Sequence, residues 1–235
     1  MKSLVIKGDY WRVLQKIPDG TLDLILLDPD FRLWEQLDKS FYHTIWNKCK
    51  PDAFVLTYAC RRHNDTIKKV LFDTFFQRFD EHVWTFTRPA AHPGIRQPLD
   101  LHRYITIWRK GTKQRKVKNV GAYRWLPSWF FEKMAAPGCK GWKRGSLKGW
   151  VKPFKMQQAL VEAYSKKGEN VLDLFAGSGN SYRDDRHWIG VDQHETHSAK
   201  MALKFDIKRL GTHSPVLLSN IKKTLKNLDG IRQGR

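Results

Sequence analysis

Three acids at the ends of apolar runs carry the chemistry this sequence can offer. The first run, Leu22-Asp-Leu-Ile-Leu-Leu, ends in Asp28-Pro29-Asp30-Phe31. A carboxylate at Asp28 can accept hydrogen bonds from an amino group, the carbonyl of Pro29 is a second acceptor, and the ring of Phe31 can stack on a planar base. An ordinary exit from a strand into a loop leaves the same trace, so this run decides nothing alone. The second run, Val171-Leu-Asp-Leu-Phe-Ala-Gly-Ser-Gly179, passes straight into a turn containing Gly177 and Gly179. Glycines let a backbone approach a ligand closely, and Asp173 can bind a hydroxyl or an amino group. Many α/β turns need glycine for other reasons. The third run, Trp188-Ile-Gly-Val-Asp192, strengthens the case by ending in an acid 19 residues after Asp173. An acid at that strand tip can accept both hydroxyls of a ribose.

His194 and His197 have the spacing of a helical ligand pair, with His187 nearby. No cysteine or second carboxylate cluster completes a tetrahedral set, so no metal is expected and the pair reads as a solvated helix start.

The acids must be positioned by a sheet. Strands are expected at Leu4–Ile6, Leu22–Leu27, Ala53–Tyr58, His82–Thr87, Tyr104–Trp108, Val171–Leu174 and Ile189–Val191. Helical spacing of apolar residues fits Trp34–Lys48, Asn64–Phe79, Phe154–Lys166 and Ser198–Leu210. Short apolar runs alternating with longer helical patterns predict an α/β fold, a doubly wound, mostly parallel, Rossmann-like sheet of seven strands. The segment from Gly111 onward breaks the rhythm and is expected to be a loop-rich insertion. The expected divisions are 1–110, an insertion at 111–151, 152–212, and a basic tail at 213–235 that frays or touches phosphates.

Charge points to the partner. The 235 residues carry 43 Lys and Arg against 23 Asp and Glu, a formal charge of +20. Between Arg88 and Lys152 stand 16 Lys and Arg but only Asp100 and Glu132, a net of +14. Aromatic residues are interleaved there: Tyr123, Trp125, Trp129, Phe130, Phe131, Trp142 and Trp150. Basic charge with stacking rings suits a nucleic-acid groove, and Arg124, Trp125, Lys140, Trp142, Lys143, Arg144 and Lys148 are its candidate contacts. A solvated basic surface whose Trp residues pack locally is the plainer alternative. Cys49, Cys60 and Cys139 form no CxxC pair and read as reduced thiols. The opening MKSLVIKGD has no signal-peptide apolar core and no segment is long enough to span a bilayer, so a cytoplasmic monomer or homodimer is expected.

Taken together, the motifs resemble the permuted, β-class amino-methyltransferases of DNA. In that family a segment ending in Asp-Pro-Pro-Tyr comes first and the Phe-x-Gly-x-Gly cofactor loop comes late. Gly8-Asp9 and Ile17 to Pro29 look like its opening, Trp84-Thr-Phe-Thr-Arg88 and His102 to Lys110 like its sixth and seventh strands, and Lys152-Pro153 like the element before the cofactor strand. The likeness spans about 210 residues. It implies S-adenosylmethionine lying over Phe175, Ala176, Gly177 and Gly179, its ribose near Asp192, its adenine near Asp9, and Lys152 and Asp173 among the cofactor contacts. It further implies a flipped base held by Asp28, Pro29 and Phe31, with DNA as the substrate and RNA as an alternative. Adenine N6 is favoured over cytosine N4 because Asp28 opens the motif where the cytosine branch more often has serine. Two positions depart from the family. Asp30 replaces its second proline, and Gly179 lies only ten residues before Ile189, so a clipped helix is expected after the loop. A non-catalytic nucleic-acid-binding protein on the same fold is the rival reading.

Overall fold

The computed structural model describes residues 3–60, 64, 76–85, 102–111, 127–131, 151–214 and 216–225, apart from the side chains of Phe31 and Thr196. Its strands are β1 (Leu4–Lys7), β2 (Leu22–Leu27), β3 (Cys49–Ala59), β4 (Gln77–Thr85), β5 (His102–Arg109), β6 (Trp129–Phe131), β7 (Asn170–Asp173), β8 (His187–Asp192) and β9 (Lys208–Gly211). They form one sheet in the order β6-β4-β5-β3-β2-β7-β8-β1-β9. Only β5 runs against its neighbours; every other pairing is parallel. Helices among the described residues include α1 (Tyr10–Lys16), α2 (Phe31–Trp34), α3 (Lys39–Lys48), α4 (Phe154–Tyr164), α5 (Glu195–Phe205) and α6 (Leu217–Leu225).

β2 is central, and all six of its residues are buried, as an unbroken apolar run demands of a strand covered on both faces. Its one acid, Asp23, is held by Lys50 at 2.8 Å and by the backbone amide of Asn170 at 2.9 Å. One face of the sheet packs against α1, α3 and α6 through Val13, Leu14, Phe41, Ile45, Leu217 and Ile221. The other packs against α4 and α5 through Met156, Leu160, Val161, Tyr164 and Met201. Helices on both faces make the sheet doubly wound, as expected.

Among the described residues there are nine strands, where seven were expected. β9 occupies residues expected to end a helix: α5 stops at Asp206, which adopts a left-handed conformation (φ 49°), and the chain turns to pair with β1. β6, read as part of the insertion, extends the far edge beside β4. The helix expected to run to Phe79 instead gives way by Gln77 to β4, which pairs with β5 from Arg109 back to His102. Cross-strand pairing there overrides the helical spacing of Phe75, Phe76 and Phe79; residues 65–75 lie outside those described. The tail expected to fray contains α6, whose Leu217, Ile221 and Leu225 repeat at helical spacing and enter the core.

Candidate active site

Register brings the acids together. Leu26 of β2 pairs with Asp173 of β7, so Asp28, two residues further on, leaves the carboxyl edge of the sheet beside Asp173. β8 lies on the other side of β7 and ends in Asp192, whose carbonyl accepts from the Gly8 amide at 3.0 Å. These tips open into a cleft of ≈ 540 Å³ at the edge where parallel α/β sheets place their ligands. Asp28, Pro29, Lys152, Asp173, Phe175, Ala176, Gly177 and Asp192, all expected at the site, line it.

On the glycine-loop side the acids are already engaged in building the turn. Asp173 is buried and accepts from the Phe175 amide at 3.2 Å and from the Ser181 hydroxyl. Burial pushes its pKa up to about 7, against the pull of those two hydrogen bonds. Asp192 accepts from the amides of Gly177 (3.1 Å) and His194 (2.7 Å) and from the His197 ring at 3.2 Å. Gly177 makes this turn at φ +50°, a conformation glycine adopts without a Cβ penalty. Gly179, also expected at the cofactor, is not among the cleft-lining residues; its Cα faces Met201 and Phe205. Asp9 likewise does not line the cleft. It caps α1, accepting from the Arg12 amide at 3.0 Å, and its neighbour Gly8 lines the wall in its place.

No helix joins β7 to β8; successive turns at 174–186 do so, where a clipped helix was expected. Parallel neighbours are usually joined by a helix that covers the sheet between them. Here the indole of Trp188 covers it, lying along its own strand so close over Gly190 that a Cβ there would fall 1.9 Å from the ring. Tyr182 closes over that indole edge-on at 5.5 Å and meets Phe205 at 4.5 Å.

On the Asp28 side, the carboxylate forms an ion pair with the ammonium of Lys152. Burial raises the Asp28 pKa, and Lys152, with Arg103 further off, pulls it down. Lys152, expected among the cofactor contacts, lines the cleft with its ammonium on this acid, 5.3 Å from the centre of the Tyr58 ring and 5.9 Å from that of Trp84. Asp30 is exposed and caps α2, accepting from the Leu33 amide at 2.9 Å. The ring of Phe31 lies outside the described side chains.

Sequence reasoning missed Tyr58, Trp84, Arg103, Gln157 and Asn180, which also line the cleft. They come from β3, β4, β5, α4 and the glycine loop, and only the closed sheet gathers them. His197 was read as solvated and is instead buried against Asp192; with His194 the three offer ligand atoms within 4.8 Å of one another. The five-residue step from the strand-tip acid to His197 is the one signal that pointed there. Among the interleaved aromatics, Phe130 is core, whereas Trp129 and Phe131 are exposed on the edge strand. Arg124, Trp125, Lys140, Trp142, Lys143, Arg144 and Lys148 lie outside the described residues.

Sheet order, the reversed β5 and the acids at the ligand edge give the chain the α/β fold of Rossmann-like methyltransferases, with the Asp-Pro strand before the glycine loop. Comparison with known proteins agrees. The type II methyltransferase M2.DpnII of Streptococcus pneumoniae is 21% identical over 247 residues, covering 89% of this chain and 90% of that one. TTHA0409 of Thermus thermophilus, named a putative DNA modification methylase and solved with S-adenosyl-L-methionine, superposes with a TM-score of 0.68 at 17% identity, covering 91% of this chain and all of that one. The PvuII DNA methyltransferase, specific for cytosine N4, gives a TM-score of 0.67 at 15% identity over 97% of this chain and 94% of its own. No family model matches.

Proposed function

We propose that this chain is a DNA methyltransferase that uses S-adenosylmethionine to methylate an exocyclic amino group, adenine N6 in first place. The convergence of Asp28-Pro29 with the Asp173 and Asp192 turn in a single cleft carries the reading. At ≈ 540 Å³ the cleft suits a nucleoside-sized ligand. Asp192, Gly8 and the Phe175–Gly177 turn supply acceptors and backbone for its ribose and amino-acid parts. Bound there, S-adenosylmethionine contributes an electrophilic methyl group.

The rest of the work belongs to the chain. Asp28 and the Pro29 carbonyl accept the two amino protons of a base taken out of its stack, which turns the nitrogen lone pair toward the methyl group. Asp28 is held by Lys152 before the base arrives, which limits the reorganisation needed as positive charge develops on that nitrogen. Adenine is favoured by the resemblance of the Asp-opened motif; the cytosine-N4 fold neighbour makes cytosine the alternative. The basic segment from Arg88 to Lys152 supports DNA as the substrate, with RNA as the second polyanion.

The replacement of the loop helix by turns favours one rival, a nucleic-acid-binding protein that no longer transfers methyl groups. Incubation of unmethylated DNA and RNA with labelled S-adenosylmethionine, followed by nucleoside analysis, separates the two. N6-methyladenine in DNA is the expected product. Asp28→Ala should abolish it while leaving nucleic-acid affinity within a few-fold, because one base contact is lost against many phosphate contacts. A silent calorimetric titration with S-adenosylmethionine would favour the rival.

A further inference from the structure

The ion pair at the end of β2 reaches beyond the acid that resemblance supplies. An ammonium has three protons and no acceptor. At Lys152 one proton is engaged by Asp28 Oδ2, and among the described residues no second acceptor meets the group. The side chain is otherwise enclosed, 10% exposed and walled by the Tyr58 and Trp84 rings. Its backbone is pinned as well: the Lys152 carbonyl accepts from Asn180 Nδ2 at 2.8 Å, and the next residue, Pro153, opens α4. Asp28 keeps 32% of its side chain exposed, and both residues line the cleft. A fixed donor and a fixed acceptor therefore stand side by side, facing the same space.

We propose that Lys152 reads the ring nitrogen next to the amino group: with Asp28 it forms a donor–acceptor pair that recognises, on the pairing edge of a base, an amino group adjacent to an unprotonated ring nitrogen. This rests on the reading of the chain as a methyltransferase and names which bases its cleft admits. Adenine presents that edge as N6 and N1, and cytosine presents it as N4 and N3. Guanine, thymine and uracil carry a carbonyl and a ring N–H at those places, so a carbonyl would face Asp28 and an N–H would face the ammonium. Each of them would bury two like partners against each other, which is costly in an enclosed site. The pair excludes three bases and does not by itself separate the two that remain, whose difference in size is left to the surrounding wall. Lys152 also favours the ionised form of Asp28 against the upward push of burial, and in that form the acid accepts amino protons rather than donating one.

Single-atom replacement in the substrate tests this. Oligonucleotides carrying the chain's own modified site are made with the target adenine replaced by 1-deazaadenine, or with a target cytosine replaced by 3-deazacytosine. Each keeps the amino group and exchanges the neighbouring ring nitrogen for C–H. Wild type should lose about 10- to 100-fold in kcat/KM on the deaza base, the range of one hydrogen bond to a charged group. Lys152→Met, though slower overall, should treat the two bases within about twofold of each other, and Lys152→Arg should regain part of the preference. S-adenosylmethionine affinity, measured by calorimetry, should change less than threefold in Lys152→Met. Equal rates of an active wild type on both bases would overturn the inference while leaving the methyltransferase reading intact. A selective loss of S-adenosylmethionine affinity in Lys152→Met would also overturn it and return Lys152 to the cofactor. If wild type methylates no oligonucleotide at all, the methyltransferase reading fails and the inference fails with it.

Discussion

Asp28 and Asp173 are acids at the tips of adjacent strands, yet the structure holds them differently. Asp28 meets a cation, whereas Asp173 meets a hydroxyl and an amide in a buried place. Asp173 keeps its proton up to about 7, against an ordinary value of 3.8. Between those values the native chain binds a proton that the unfolded chain releases. Its contribution to stability is therefore complete below about pH 4 and is lost as pH rises through about 7. Asp173→Asn fixes the neutral form, so its melting temperature should gain on wild type across that window. Melts at matched ionic strength check this, and parallel curves for the two proteins would contradict it. Asp28, Asp173 and Asp192 could be found in the sequence because strand-tip acids follow recognisable apolar runs. Asp9 shows the limit of that reasoning: an acid beside glycine suits a ligand or a helix cap equally well, and the amide of Arg12 takes it as a cap.

At the scale of elements, the passage from β7 to β8 departs furthest from expectation. The sequence shows too few residues there for a full helix, and the structure shows none among 174–186. What replaces it was not legible, because the covering group is a strand residue lying over its neighbour rather than a helix with its own periodicity. Trp188 is buried, its indole NH donates to the Ser181 hydroxyl at 3.2 Å, and that hydroxyl in turn donates to Asp173. The plug and the glycine loop are thus one hydrogen-bonded unit. Gly190→Ala should displace the indole, destabilising the fold by on the order of 1–3 kcal/mol as an overpacked core. Through Ser181 it should also loosen Asp173 and weaken S-adenosylmethionine binding. Denaturant titration and calorimetry would check both, and a variant as stable as wild type would show that the indole has room to move. The β6 and β9 edges were hidden for a related reason. Strands of three and four residues carry little period of their own and exist because a neighbour offers a free edge.

For the whole molecule, the charge is divided unevenly along the chain. The stretch from Arg88 to Lys152 holds +14 of the +20, and two of its described residues, Arg103 on β5 and Lys152 before α4, line the candidate site. A cleft that takes one base needs the remainder of the nucleic acid held outside it, and phosphate contacts do this without reading sequence. Each phosphate neutralised releases counterions, so affinity for duplex DNA should fall steeply with salt, by about 0.9 in logarithmic slope per contact. With about six contacts, the loss between 50 and 200 mM salt would be on the order of a thousandfold. Replacing Lys140, Lys143, Arg144 and Lys148 together by glutamine should lower that slope by up to about 3.6, by the same rule, and weaken binding to all sequences alike. S-adenosylmethionine affinity should change far less, since the Asp192 and Gly177 turn is held by the Gly177 and His194 amides and the His197 ring rather than by phosphate-binding cations. Anisotropy titrations of random-sequence and target duplexes across a salt series measure the slope directly. A slope as steep in the fourfold variant as in wild type would remove these residues from the DNA interface and leave the plainer reading, a solvated basic surface.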